Sequence, residues 1–198
     1  MKVIYSNGTV GECSPEEELH IIRHTAAHIM AQAIKRLYPD AKFAYGPANE
    51  KGFYYDVDLG DVKLTDDDLE AIEAEMKKIV KENLPIKPSI LPREEAIKFM
   101  EEKNEPYKVE LIKDLPEDAV ISFYSQGEFV DLCAGPHLMN TKAIKAFTTP
   151  PIILPATVMV NPNILPTPFF KKPPRLPMIL SQLNSILLRS ANHASISG

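Results

Sequence analysis

The chain has 198 residues, 44% of them hydrophobic, enough to fill one core and leave an appendage. No apolar run nears the roughly 20 residues that span a bilayer, and no signal peptide opens the chain, so a cytoplasmic protein is expected. Cys13 and Cys133 are too few for a disulfide framework, which fits the same reducing compartment. The net charge of −5 is unevenly spread. Residues 1–147 hold 18 basic residues against all 27 acids, a net charge of −9, and 148–198 hold four basic residues and no acid.

The opening "KVIYSNGTVGEC" reads as two short strands about Asn7-Gly8. "SPEE" then announces a helix, with Ser14 as cap, Pro15 at the first position and Glu17 closing a capping box. Nothing breaks that helix before Tyr38-Pro39, so it runs over about 15–38. Its alanines (Ala26, Ala27, Ala31, Ala33) let neighbours approach closely, which suits a central helix. After Gly46-Pro47, "GFYYDVDL" alternates like a strand with Phe53, Tyr55 and Val57 on one face. "TDDDLEAIEAEMKKIVKEN" is an amphipathic helix capped by Thr65, with Leu69, Ile72, Met76, Ile79 and Val80 as its stripe. A strand over Ile86–Leu91, a short helix over Arg93–Glu102, and strands at "YKVELI", "VISFYS" and "EFVDLC" complete the body. Two main helices among strands without a βαβ rhythm define an α+β class: a central HxxxH-bearing helix packed on an antiparallel sheet, with a second amphipathic helix, as a two-layer sandwich.

The last 51 residues read differently. They carry nine of the 18 prolines, no Tyr, and no Gly before Gly198. Prolines at that density forbid long helices and central strands. The domain boundary is expected near Phe147, and 148–198 reads as an apolar, Pro-rich tail. An abrupt loss of acids without linker-like polarity makes an irregular segment or a frameshift product the expectation, ahead of a proline-rich partner-binding arm.

Chemistry concentrates in two short words. In "HTAAH", His24 and His28 lie four apart and share a helix face, with His20 a further turn back. In "EFVDLCAGPH", period-2 alternation puts Phe129, Asp131 and Cys133 on one side, and Gly135-Pro136 turns the chain to bring back His137. His24, His28, Cys133 and His137 make a zinc ligand set by residue type and spacing. Two other readings stand beside it: structural histidines, and a Cys133 nucleophile with His137 as its base.

The surrounding words resemble a known family. "RHTAAHIMAQAIKRLYPDAKFAYGP", "GFYYDVDL", "PYKVELI" and "GEFVDLCAGPH" are similar, in order and spacing, to the editing region of threonyl-tRNA synthetases, the second additional domain that these enzymes share with alanyl-tRNA synthetases. The resemblance covers about 20–147, leaving 1–19 as an N-terminal hairpin and helix start. It implies hydrolysis of mischarged Ser-tRNA(Thr). A synthetic site built for threonine loses only a methyl contact when serine enters, worth about 1–3 kcal/mol, so a second, hydrolytic site is needed. By motif, the resemblance makes His24, His28, Lys108 and Asp131 the catalytic set. It places Cys133, His137, Gly46 and Tyr55 around the substrate. His24 is the first candidate to take a proton from water. Lys108 would orient water or stabilise the oxyanion, its bland reading being a strand-surface lysine. Asp131 would hold a histidine tautomer or the substrate amine, or cap a loop.

The resemblance leaves zinc open: alanyl-type relatives use the four residues as ligands, whereas the threonyl type is thought to need no metal. No cofactor is required by this domain, and ATP belongs to the class II core that relatives also carry. Expected partners are the 3′ end of tRNA(Thr) and further synthetase domains, with no membrane. Departures are also visible. The start is too short for the N-terminal TGS domain of relatives, Ala134 stands where they commonly carry Arg, and no catalytic core or anticodon domain follows. Rival functions are a non-catalytic zinc- or tRNA-end-binding module and a free-standing trans-editing deacylase. A body at −9 lacks the basic footprint of phosphate-driven affinity, so tRNA binding by this chain alone is expected to be weak.

Overall fold

The structure, a computed structural model, describes residues 1–46, 48–49 and 52–144. The expected boundary near Phe147 and the Pro-rich tail lie outside the described residues.

Helix α1 (Pro15–Leu37) is where the fold is organised. Its start is fixed locally: Ser14 Oγ accepts from the Glu17 N–H at 3.3 Å, and the Ser14 N–H donates to Glu17 Oε2 at 3.2 Å. Glu16, Glu17 and Glu18 occupy the first turn and Lys35 and Arg36 the last, matching the helix dipole. Every residue from Thr25 to Ile34 is buried, so the middle of α1 is covered on all sides. The small side chains there permit that. Helix α2 (Asp66–Glu82), capped by Thr65 and ended by Asn83 in the left-handed region, packs along α1 through Ile72, Met76 and Ile79.

Strands β1 (Lys2–Ile4) and β2 (Val10–Glu12) form the expected hairpin. The other edge of β1 pairs with β10 (His137–Leu138), Ile4 opposite His137. A second antiparallel sheet joins β7 (Ile86–Ile90), β8 (Ser122–Gln126) and β9 (Phe129–Leu132), with Tyr124 opposite Asp131. Two further pairs are β3 (Lys42–Phe43) with β6 (Val57–Asp58), and β4 (Ala48–Asn49) with β5 (Gly52–Phe53). The class is α+β, and among the described residues the pairing is antiparallel and the strands divide among four short sheets. Helix α3 (Arg93–Glu102) falls where the sequence puts it.

Two local expectations need correction. "YKVELI" is not a strand but lies in helix α4 (Pro106–Asp114). The reason is visible in its buried positions, Glu105, Lys108, Val109 and Ile112, which follow the i, i+3, i+4, i+7 stripe of a helix. Two of the four are charged, so a hydrophobic pattern sought in apolar residues alone misses the period. Pro106 in the first turn agrees with a helix start. Nor is "GFYYDVDL" one strand. It breaks into β5 and β6, and residues 54–56 carry the chain between the two small sheets. Tyr55, in that break, is almost wholly buried and directed into the core. A smaller core of Ala96, Met100, Val109, Ile112, Ile121 and Phe123 holds α3 and α4 on β8. Among the described residues no helix is long and apolar enough to cross a membrane.

Candidate functional site: a histidine–cysteine cluster on the central helix

One turn of α1 carries His24 to His28, and both rings face the segment after β9 (ring centroids 5.2 Å apart). His137 lies between them, its centroid 4.3 Å from that of His24 and 4.2 Å from that of His28. Cys133 completes the group. Its Sγ is 3.2 Å from His24 Nε2 and 3.3 Å from His137 Nε2, and it accepts the Gly135 N–H at 3.2 Å. The ligand-capable atoms of His24, His28, Cys133 and His137 all lie within 4.8 Å of one another.

Distant parts of the chain impose this convergence. The β1–β10 pairing anchors His137, and Gly135 makes the turn that precedes it. Gly135 has φ +69°, and a Cβ there would sit 2.0 Å from the Tyr124 hydroxyl, so only glycine fits. The Tyr124 ring in turn packs on His137 (centroids 4.6 Å), and its hydroxyl donates to the Ile4 carbonyl at 3.3 Å.

Behind the cluster is a buried ionic knot. Asp131 Oδ1 is 2.6 Å from Lys108 Nζ, its Oδ2 is 3.3 Å from His28 Nε2, and it accepts the Tyr55 hydroxyl. Lys108 Nζ also reaches the Tyr55 oxygen at 2.9 Å. Lys108 and Asp131 are each only 3% exposed, so Lys108 is an inward-facing helix residue and not a strand-surface lysine. Its charge is matched by one carboxylate, as a buried charge must be. Gly46 backs the ring of Tyr55 so closely that a Cβ would lie 2.3 Å from it. Ala134 is exposed, on the turn beyond Cys133.

Burial sets the protonation states. It pulls His24 down to about 4, with Asp131 opposing and His20 adding to the fall. His28 and His137 are held well below the usual histidine range, first by burial and then by their histidine neighbours. The Cys133 thiol is pushed up to about 12, by burial and then by the Asp131 charge. Three neutral imidazoles therefore face a protonated thiol at neutral pH. That argues against Cys133 as a ready nucleophile.

Two contributors escape a reading of the sequence. Thr25 is fully buried, with its Oγ1 3.1 Å from His137 Nδ1 and accepting the Leu138 N–H at 3.1 Å. Tyr124 forms the wall behind His137. Threonine within a helix and tyrosine within a strand carry no distinguishing signal, although Tyr124 sits opposite Asp131 in the β8–β9 register.

Neutral histidines and a thiol, backed by a Lys–Asp–Tyr knot, are thus gathered on the central helix of an α+β domain. Comparison with known proteins adds the relatives of this chain. Residues 121–148 match the family described as the threonyl and alanyl tRNA synthetase second additional domain. Over 131 residues, 66% of this chain and 20% of the relative, the chain is 66% identical to the threonine–tRNA ligase of Clostridium kluyveri. It is also 66% identical over 125 residues to that of Acetivibrio thermocellus (63% of this chain, 20% of the relative). With that of Carboxydothermus hydrogenoformans it shares 60% identity over 132 residues (67% and 21%). Two thirds of this chain is thus homologous to threonine–tRNA ligases, in agreement with the editing-region resemblance. The chain spans about a fifth of the length of these relatives.

Proposed function

We propose that the cluster hydrolyses the ester of a mischarged aminoacyl-tRNA, Ser-tRNA(Thr) foremost. The observation that carries this reading is His24: a neutral imidazole, less buried than His28 and His137, at the edge of a site whose buried cation, Lys108, is held in place by Asp131 and Tyr55. Water attacks the ester carbonyl and passes its proton to His24 Nε2. The tetrahedral intermediate then collapses, the carbonyl–O bond to the ribose breaks, and the imidazolium returns the proton to the ribose oxygen. Lys108 lends positive potential to the developing oxyanion. Asp131, its Oδ2 3.3 Å from His28 Nε2, steadies that ring, while Cys133 and His137 wall the acyl group. Tyr55, backed by Gly46, keeps Lys108 and Asp131 in register.

The four donors also fit zinc in type and closeness, and His28 has the carboxylate partner typical of a metal-bound imidazole. His24, His28, Cys133 and His137 would hold the ion, which when bound supplies Lewis-acid polarisation. The partners in this reading are the 3′ end of tRNA(Thr) and the remaining synthetase domains, in the cytoplasm. The acidic body gives the chain little affinity for phosphates on its own.

Incubating the purified chain with Ser-tRNA(Thr), Thr-tRNA(Thr) and Ser-tRNA(Ala) tests the proposal. Selective loss of serine from tRNA(Thr) is expected. Loss from tRNA(Ala) instead would favour a trans-editing deacylase. No hydrolysis at high protein concentration, with stoichiometric zinc by elemental analysis, would favour a binding module.

A further inference from the structure

We propose that Thr25 is a positioning residue that fixes which nitrogen of His137 carries the proton and, through Cys133, leaves His24 Nε2 free of one. The inference begins with a hydroxyl that has nowhere else to turn. Thr25 is completely buried, and among the described residues its Oγ1 has two partners, the Leu138 N–H and His137 Nδ1. A backbone N–H can only donate, so Leu138 uses a lone pair of the oxygen. The hydroxyl proton then has one acceptor within reach, His137 Nδ1 at 3.1 Å. Were Nδ1 protonated instead, a buried O–H would be left without an acceptor, a costly arrangement that proteins avoid.

The consequence travels outward. With Nδ1 accepting, neutral His137 carries its proton on Nε2, which faces Cys133 Sγ at 3.3 Å. The sulfur also accepts from Gly135 N–H. Its own S–H is therefore left to donate to His24 Nε2, 3.2 Å away. His24 then holds its proton on Nδ1. The hydrogen bonds run in one direction, from the Leu138 backbone through Thr25, His137 and Cys133 to His24, and end on the Nε2 lone pair, which the weak S–H donor holds until the attacking water takes its place as the general-base step requires.

The kinetic arm of the test rests on the proposed hydrolysis; the spectroscopic arm does not. Two-bond 1H–15N correlation of histidine side chains in the EDTA-treated protein, assigned with His137→Gln, reads each tautomer directly. Wild type is expected to show His137 protonated at Nε2 and His24 at Nδ1. Thr25→Val keeps the shape and loses the hydroxyl, so the His137 Nδ1 resonance should move and the single tautomer should be lost; Thr25→Ser should restore both. On Ser-tRNA(Thr), Thr25→Val should lower kcat about tenfold, the equivalent of about 1.4 kcal/mol, with KM little changed and with recovery in Thr25→Ser. His137 protonated at Nδ1 in wild type would overturn the proposal, as would a Thr25→Val spectrum identical to wild type. If Thr25→Val does not fold, the wild-type spectrum alone decides. If wild type hydrolyses no ester, the proposed function falls and the tautomers still test Thr25.

Discussion

The two ends of one helix face use the same spacing for opposite purposes. His24, His28, Gln32 and Arg36 follow one another at intervals of four along α1, drifting only about 40° round the axis each time. All four meet the β8–β9 hairpin or the segment that leaves it. His24 touches Cys133, His28 touches Asp131, Gln32 Nε2 donates to Glu128 Oε1 at 2.9 Å, and Arg36 Nε donates to the same oxygen at 2.6 Å. At the C-terminal end three carboxylates gather round one guanidinium. Arg36 also engages Glu82 through two hydrogen bonds (2.6 and 2.8 Å) and Glu75 at 3.0 Å, and Gln32 accepts from Gln126 at 2.9 Å. Those carboxylates drive the guanidinium pKa higher still, while Arg36 holds Glu128 down to about 2. The N-terminal end has no such surplus of charge, and burial keeps its imidazoles neutral. Spacing selects the face; the partners supplied by the rest of the chain decide whether it clamps or reacts.

The largest effect on stability should come from Lys108→Met. It leaves Asp131 charged and buried with only His28 and Tyr55 for company, and breaking a pair of this kind costs about 3–5 kcal/mol. Urea denaturation should show the loss, and a shift under about 1 kcal/mol would contradict it. Arg36→Gln should cost less, about 1–3 kcal/mol, because its partners Glu82 and Glu128 are partly solvated. Its kcat on Ser-tRNA(Thr) should stay close to wild type, which separates the clamp from the chemistry.

Acid should take the two ends apart in sequence. The folded pKa of His24 lies near 4, below the ordinary 6.5, so the unfolded chain binds a proton that the fold refuses. Stability from that end is complete above pH 6.5 and falls away toward pH 4. Glu128, near 2 instead of 4.5, contributes above pH 4.5 and is lost as pH drops toward 2. Melting of the EDTA-treated protein across this range should therefore weaken in both windows. His24→Ala should make the upper one shallower without abolishing it, because His28 and His137 also refuse a proton in the fold, and Glu128→Gln should flatten the lower; exchange of those outcomes would reverse the assignment. Ser14→Ala, which removes the exposed cap of α1, should have the smallest effect, a slight drop in melting temperature with hydrolysis unchanged.

How much of this could be read from the sequence follows from the range of each cause. The caps of α1 and α2 and the pairing of His24 with His28 depend on residues three or four apart, so local pattern reveals them. Residue type and spacing named Cys133 and His137, and the resemblance added Lys108 and the role of Asp131, but the approach of His137 to the histidine pair depends on the pairing of β10 with β1, more than a hundred residues away in sequence. Helix α4 was hidden because Glu105 and Lys108 occupy its buried stripe, each satisfied by a partner that only the fold brings: Lys35 for Glu105, Asp131 for Lys108. Gln32 and Arg36 continue the histidine spacing in plain view, yet their role depends on Glu128 at the tip of a hairpin. Thr25 was illegible for the same reason, since its chemistry lies in the single acceptor left for its proton.

The most direct test is to time serine release from Ser-tRNA(Thr) by wild type, His24→Ala and Arg36→Gln, each at a temperature where circular dichroism shows it folded. The predicted result is a loss of about a hundredfold or more in His24→Ala and near-wild-type turnover in Arg36→Gln. Equal losses in both variants, or undiminished release by folded His24→Ala, would contradict the division of α1 into a reacting end and a clamping end.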